Sequence, residues 1–124
     1  MYQILLVDDD HLYRAALSRL LRPTYEILEA GDGLQAQKIV LHQNVDIVVS
    51  DIRMPKNDGL KLLKWLREAR NIPVILISGY SEVLENIQAK DLGADGFLAK
   101  PFKFNEIKNM IDSLLAKKPD ERKS

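Results

Sequence analysis

The sequence predicts an α/β domain: a doubly wound, five-stranded parallel sheet in the order 2-1-3-4-5. Three observations predict it. Short, unbroken apolar runs such as Ile4-Leu5-Leu6-Val7 and Val74-Ile75-Leu76-Ile77 read as strands buried on both faces. Stretches with apolar residues at helical spacing separate these runs. The chain has 124 residues, which fits one core and one domain.

The elements follow in order. Ile4 to Val7 is the first strand. Leu12, Ala15, Ala16, Leu20 and Leu21 recur as a helical stripe that Pro23 ends. Tyr25 to Ala30 reads as a second strand, and Gly31-Asp32-Gly33 as a turn. Leu34, Ala36, Ile39 and Val40 mark a second helix. Val45 to Ser50 holds the β-branched run Ile47-Val48-Val49, the third strand. Gly59 opens a third helix with Leu60, Leu63 and Leu66 on one face. Pro73 introduces the fourth strand. Ser81 fits the N-cap of a fourth helix ending at Leu92, with Gly93 as its C′ residue. Gly96 to Ala99 is the fifth strand. Phe104, Ile107, Met110, Ile111, Leu114 and Leu115 form the stripe of a fifth helix. Residues 1–118 are read as the domain. Residues 119–124, without apolar content, are read as a disordered tail or the start of a linker.

Composition excludes several function classes. The formal net charge is zero, so the clustered basic excess of a nucleic-acid footprint is missing. The chain has no cysteine, which removes disulfides, thiol chemistry and cysteine zinc sites. No apolar run approaches the ~18 residues of a membrane span. The N-terminus enters a short strand and then a run of acids, unlike a signal peptide, so a cytoplasmic protein is expected.

The chemistry gathers at strand ends. Asp8, Asp9 and Asp10 follow the first strand, Asp51 the third, Ser78 the fourth and Lys100 the fifth. In the order 2-1-3-4-5, strands 1 and 3 flank the switch point where ligands bind, so Asp8, Asp9 and Asp51 are expected to converge. Clustered carboxylates repel unless a cation sits among them. Oxygen-only donors suit Mg²⁺, and a site without histidine disfavours zinc. A carboxylate can attack a phosphoryl group, with a metal and a lysine spreading the charge of the transferring group. Each residue alone also has a plain structural reading. Asp10 reads as a helix N-cap, Asp51 as a turn residue, Lys100 as a solvated charge, and His11 and His42 as surface residues. The match of four separate strand ends to one chemistry carries the functional reading.

With these residues placed, the chain resembles the receiver domain of two-component response regulators over roughly residues 3–117. The motifs are Ile4-Leu5-Leu6-Val7-Asp8-Asp9-Asp10, Val49-Ser50-Asp51-Ile52-Arg53-Met54-Pro55 with Asp58-Gly59, Ile77-Ser78-Gly79, and Lys100-Pro101-Phe102. The resemblance implies a flavodoxin-like (βα)5 fold and a signalling role rather than that of an enzyme. It implies that Asp51 accepts a phosphoryl group from a histidine kinase or phosphotransfer protein. Asp9 would bind Mg²⁺ directly and Asp8 largely through water, with Asp51 and the Arg53 backbone carbonyl completing the protein ligands. Lys100 would pair with phosphoryl oxygens, and the peptide before Pro101 would be cis. Ser78 and Phe97 would form the switch: Ser78 moves towards the phosphoryl group and Phe97 turns inward. The face made by the fourth helix, fifth strand and fifth helix would then change its surface. That face is also a candidate for homodimerisation. The kinase would dock on the first helix, at Leu12, Tyr13 and Ala16. Arg53 and Tyr80 would border the phosphoryl group and slow its hydrolysis.

Other readings remain open at this stage. Asp8-x-Asp10 also resembles the nucleophile and general acid of haloacid dehalogenase-type phosphatases, although Leu12 departs from that pattern and the chain is short for it. A receiver-like module that binds partners without phosphate is a third reading. A flavin-binding protein of similar fold is a fourth, opposed by the acidic loop after the first strand. Downstream, a partner protein or an output domain is expected.

Overall fold

Five strands pair in parallel in the order β2-β1-β3-β4-β5, as the alternation of apolar runs and helical stripes predicts. The computed structural model describes residues 1–55, 58–79 and 93–123, with side chains to residue 117. The strands are β1 (Gln3–Val7), β2 (Glu26–Ala30), β3 (Ile47–Asp51), β4 (Val74–Gly79) and β5 (Gly96–Lys100). The helices between them are α1 (His11–Leu21), α2 (Gly33–His42) and α3 (Asp58–Ala69), and a C-terminal helix spans Phe104–Lys123. The helix expected over 81–92 lies outside the described residues. Its expected C′ residue, Gly93, has φ 96°, a left-handed backbone that glycine adopts without penalty.

The central strands β1, β3 and β4 are largely apolar on both faces because both faces are covered. Leu5, Val7, Val48, Val74 and Leu76 pack with residues of α2 and α3. Ile4, Leu6, Ile47, Val49, Ile75, Ile77 and Leu98 pack with α1 and the C-terminal helix. The period of two along a strand decides which residues share a face.

The structure differs from the sequence expectation at several edges. β3 includes Asp51, β4 includes Ser78 and Gly79, and β5 includes Lys100. The ladder pairs Asp51 with Ile77, Ser78 with Ala99 and Gly79 with Lys100, so these polar residues are part of the sheet rather than of the turns after it. In α1 the buried residues are Leu17, Ser18 and Leu21, whereas Leu12 is 72% exposed and Leu20 55% exposed. Ala15 and Ala16 are also exposed. In α2 Leu34 faces solvent, and Ala36 and Val40 are buried. In α3 the inward residues include Leu62, which the expected stripe omitted, while Leu60 is only half-buried. The C-terminal backbone is helical over 119–123, residues read above as a disordered tail or the start of a linker. An existing helix adds one hydrogen bond for each residue it orders, so it propagates beyond its packed turns.

Candidate phosphoacceptor site at the C-terminal sheet edge

The sheet register brings the polar strand ends together. Asp51 continues the face of Ile47 and Val49, and Lys100 continues the face of Leu98. Both side chains therefore lie on the α1 side. Lys100 Nζ is 3.1 Å from Asp51 Oδ2 and 3.8 Å from Asp8 Oδ2. The first contact is a hydrogen-bonded ion pair, and the second is an ion pair at longer range. The Lys100–Pro101 peptide is cis, as the resemblance implies.

Local geometry fixes the acids. Asp8 leaves β1 next to the β3 edge, and its Oδ1 accepts from Asp10 N–H at 2.9 Å. Asp10 turns away to cap α1, accepting from Leu12 N–H at 3.1 Å and Tyr13 N–H at 3.2 Å. Its reading as an N-cap holds. Asp9 is exposed. Asp51 Oδ1 accepts from Arg53 N–H at 2.9 Å, which orients the carboxylate while Oδ2 faces the lysine.

Asp8 and Asp51 are 6% and 8% exposed. Burial pushes the Asp8 carboxyl above the usual carboxylate range, and the Asp51 charge adds to this. The Asp10 N–H and the Lys100 charge act in the opposite direction. Burial alone would lower Lys100, but its hydrogen bond to Asp51 and the charges of Asp51 and Asp8 outweigh that and raise it. One ammonium thus offsets two gathered carboxylates.

The donor set is hard oxygen, which suits Mg²⁺. Among the described residues no three His, Cys, Asp or Glu side chains form a closed metal cluster. Asp8 and Asp51 bring carboxylate oxygens to this edge, and the exposed Asp9 adjoins them.

Ser78 and Phe97 lie on the opposite face of the sheet. Leu76 pairs with Phe97, and Ser78 pairs with Ala99, two residues on. Ser78 is 2% exposed, and its Oγ is buried with no hydrogen-bond partner among the described residues. Phe97 packs, partly buried, against the cluster on that face. Tyr80 lies outside the described residues.

Two neighbours of the site are missing from the sequence expectation. Arg14 Nη1 donates to the Asp8 carbonyl at 2.5 Å, and Arg14 Nε pairs with Glu29 at 2.9 Å. Tyr13, expected at the kinase-docking surface, is half-buried, with its ring beneath Lys100. The apolar stripe gave no signal for either, because both lie at its margin.

The family profile described as the response regulator receiver domain matches residues 4–112. The chain belongs to the response regulator receiver domain family. This receiver domain is 38% identical over 116 residues to the transcriptional regulatory protein CpxR of Klebsiella pneumoniae, covering 93% of this chain and 50% of that protein. It is 36% identical over 122 residues to the response regulator MprA of Mycobacterium leprae, covering 96% of this chain and 54% of that one. The receiver domain of the Francisella response regulator 1452 superposes with a TM-score of 0.85 at 29% identity, covering 94% of this chain and 98% of that chain. The chain spans about half the length of the curated relatives it matches. These matches establish a phosphorelay receiver of two-component signalling and lend nothing to the haloacid dehalogenase, phosphate-independent or flavin readings. Among the described residues, no helix is long and apolar enough to cross a membrane.

Proposed function

We propose that this receiver domain accepts a phosphoryl group on Asp51 from a histidine kinase or phosphotransfer protein in the cytoplasm. The observation that carries the reading is the buried Asp51 carboxylate, held by Lys100 at 3.1 Å and by the Arg53 N–H, at the edge it shares with Asp8. An Asp51 carboxylate oxygen attacks the phosphorus of a phosphohistidine. The P–N bond breaks, the imidazole leaves with the electron pair and takes up a proton, and Asp51 becomes an acyl phosphate. Lys100, already aimed at Asp51, stabilises the charge on the transferring oxygens. Mg²⁺, when bound by Asp8, Asp9, Asp51 and the Arg53 carbonyl, supplies Lewis-acid stabilisation of the same charge.

The Ser78 Oγ, without a partner among the described residues, supports the switch. A phosphoryl group brings about −1.5 to −2 charges and strong acceptor oxygens to this edge. Ser78 then has an acceptor to move towards, and Phe97, on the same sheet face, turns into the space it leaves. The population shifts between two packings of one fold. The face around β5 and the C-terminal helix passes the change to a downstream protein or output domain, or to a second copy of the chain. The exposed Leu12 and Ala16 on α1 support kinase docking there.

The test is intact mass after incubation with acetyl phosphate and Mg²⁺. One added phosphoryl group is expected on wild type, and none on Asp51→Asn or without Mg²⁺. Label that survives in Asp51→Asn places the nucleophile elsewhere and overturns the assignment.

A further inference from the structure

Lys100 has a third neighbour, an aromatic ring rather than a carboxylate. Its Nζ lies 4.1 Å from the centroid of the Tyr13 ring. This is within the ~6 Å at which an ammonium is attracted to the negative face of an aromatic ring. The backbone dictates the contact. Asp10 caps α1 through the amides of Leu12 and Tyr13, so the first turn of the helix is pinned at the acidic loop. Tyr13 belongs to the core cluster on the α1 face, the face that Leu98 and then Lys100 continue. Burial pushes the Tyr13 hydroxyl up, so the ring stays neutral beside the ammonium.

We infer that Tyr13 is a positioning residue for Lys100, its ring face holding the ammonium beside Asp51. The inference rests on the assignment of Asp51 and Lys100 above. A lysine is a point charge on a flexible four-carbon stem with three rotatable donors. A carboxylate in the place of Tyr13 would also hold it, but would take up a donor and cancel its charge. The ring face constrains the ammonium without accepting a conventional hydrogen bond. When Asp51 gains a phosphoryl group the acceptor oxygens move outward, and the donors not used by Asp51 remain available to follow them. An aliphatic side chain of similar size would fill the core and leave the stem free to swing.

The test compares Tyr13→Phe and Tyr13→Leu, alone and combined with Lys100→Ala. The rate of acetyl phosphate labelling and the ¹H shift of the Lys100 ε-methylene are read for each, with thermal unfolding as a check on folding. The ε-methylene is expected upfield in wild type and Tyr13→Phe, and at its ordinary position in Tyr13→Leu. Labelling is expected to fall roughly 3- to 30-fold in Tyr13→Leu, with Tyr13→Phe near wild type. Tyr13→Leu is expected to change nothing further in the Lys100→Ala background. An unshifted methylene in wild type overturns the inference, whether or not the protein labels. A fall of equal size in both backgrounds, or the same fall in Tyr13→Phe, overturns it too. Loss of label from wild type, or its persistence in Asp51→Asn, would instead sink the assignment of Asp51.

Discussion

Gly59 sits so close to Asp51 that a Cβ on it would lie 2.3 Å from the Asp51 carbonyl oxygen and 2.7 Å from Ile52 Cα. The obstacles are backbone atoms, so they cannot rotate away. The first turn of α3 is thereby laid directly against the strand end that carries the phosphoacceptor candidate. Gly59→Ala is expected to cost about 1–3 kcal/mol by urea unfolding and to slow labelling of Asp51. Gly96→Ala makes the contrasting case. Its Cβ would meet Met110 Sδ at 2.6 Å, the far end of a flexible side chain that can move, so a smaller loss is expected.

Lys100→Ala leaves the buried Asp8 and Asp51 facing each other without their cation. Breaking a fully buried pair costs several kcal/mol. The Lys100 side chain is 30% exposed, so about 1–3 kcal/mol is expected. Mg²⁺ should recover a larger share of stability in this variant than in wild type, because it replaces the missing charge between the carboxylates. Urea unfolding with and without Mg²⁺ measures both, and equal Mg²⁺ effects in the two proteins would argue against metal binding by these acids.

Tyr25 and Asp112 tie the start of β2 to the C-terminal helix. The Tyr25 hydroxyl donates to Asp112, whose other oxygen accepts from Lys108 at 2.7 Å. Burial alone would raise Asp112, but these two hydrogen bonds outweigh it and hold its carboxyl below the usual range. A lowered carboxyl contributes stability that is present above its unfolded value of ~3.9 and lost as pH falls through the folded value. Tyr25→Phe is expected to cost about 1 kcal/mol at neutral pH. The gap between variant and wild type should narrow as pH falls below about 4. A gap that stays constant into acid would show that the hydroxyl acts without the carboxylate.

Arg53 is exposed beside Asp51, to which its backbone N–H donates. Bulk at this position is expected to obstruct the water that hydrolyses an acyl phosphate. Arg53→Ala should then speed dephosphorylation, up to roughly tenfold, equivalent to ~1.4 kcal/mol in the barrier. Tyr80→Ala should act in the same direction. Decay of ³²P-labelled protein gives the rate, and unchanged decay in both variants refutes the obstruction.

The strands, and the edge where their polar ends gather, were readable in the sequence for one physical reason. A strand buried on both faces is largely apolar, so the polar residues after Val7, Val49 and Ile77 signal the approach to the sheet edge, with Ser50, Asp51 and Ser78 still inside the strands. The faces of α1 and α2 were less readable. Leu12, Leu20 and Leu34 are apolar yet exposed, and Leu17, one position outside the expected stripe, is fully in the core. Helical spacing identifies a helix, but the strands beneath it decide its rotation. Arg14 and Tyr13 escaped for a related reason. Their parts depend on contacts with Asp8 and Lys100, which only the tertiary arrangement creates.

The Lys100–Asp51 pair also ties the site to completion of the fold. The two residues stand 49 positions apart, and Lys100 is the last residue of the last strand to leave the chain. Contacts so distant in sequence carry a loop-closure cost that the rest of the sheet must offset. A molecule with β1 and β3 paired but β5 undocked has its carboxylates without the ammonium that aims at them. Under the role proposed for Lys100, acceptance of a phosphoryl group by Asp51 requires the completed sheet.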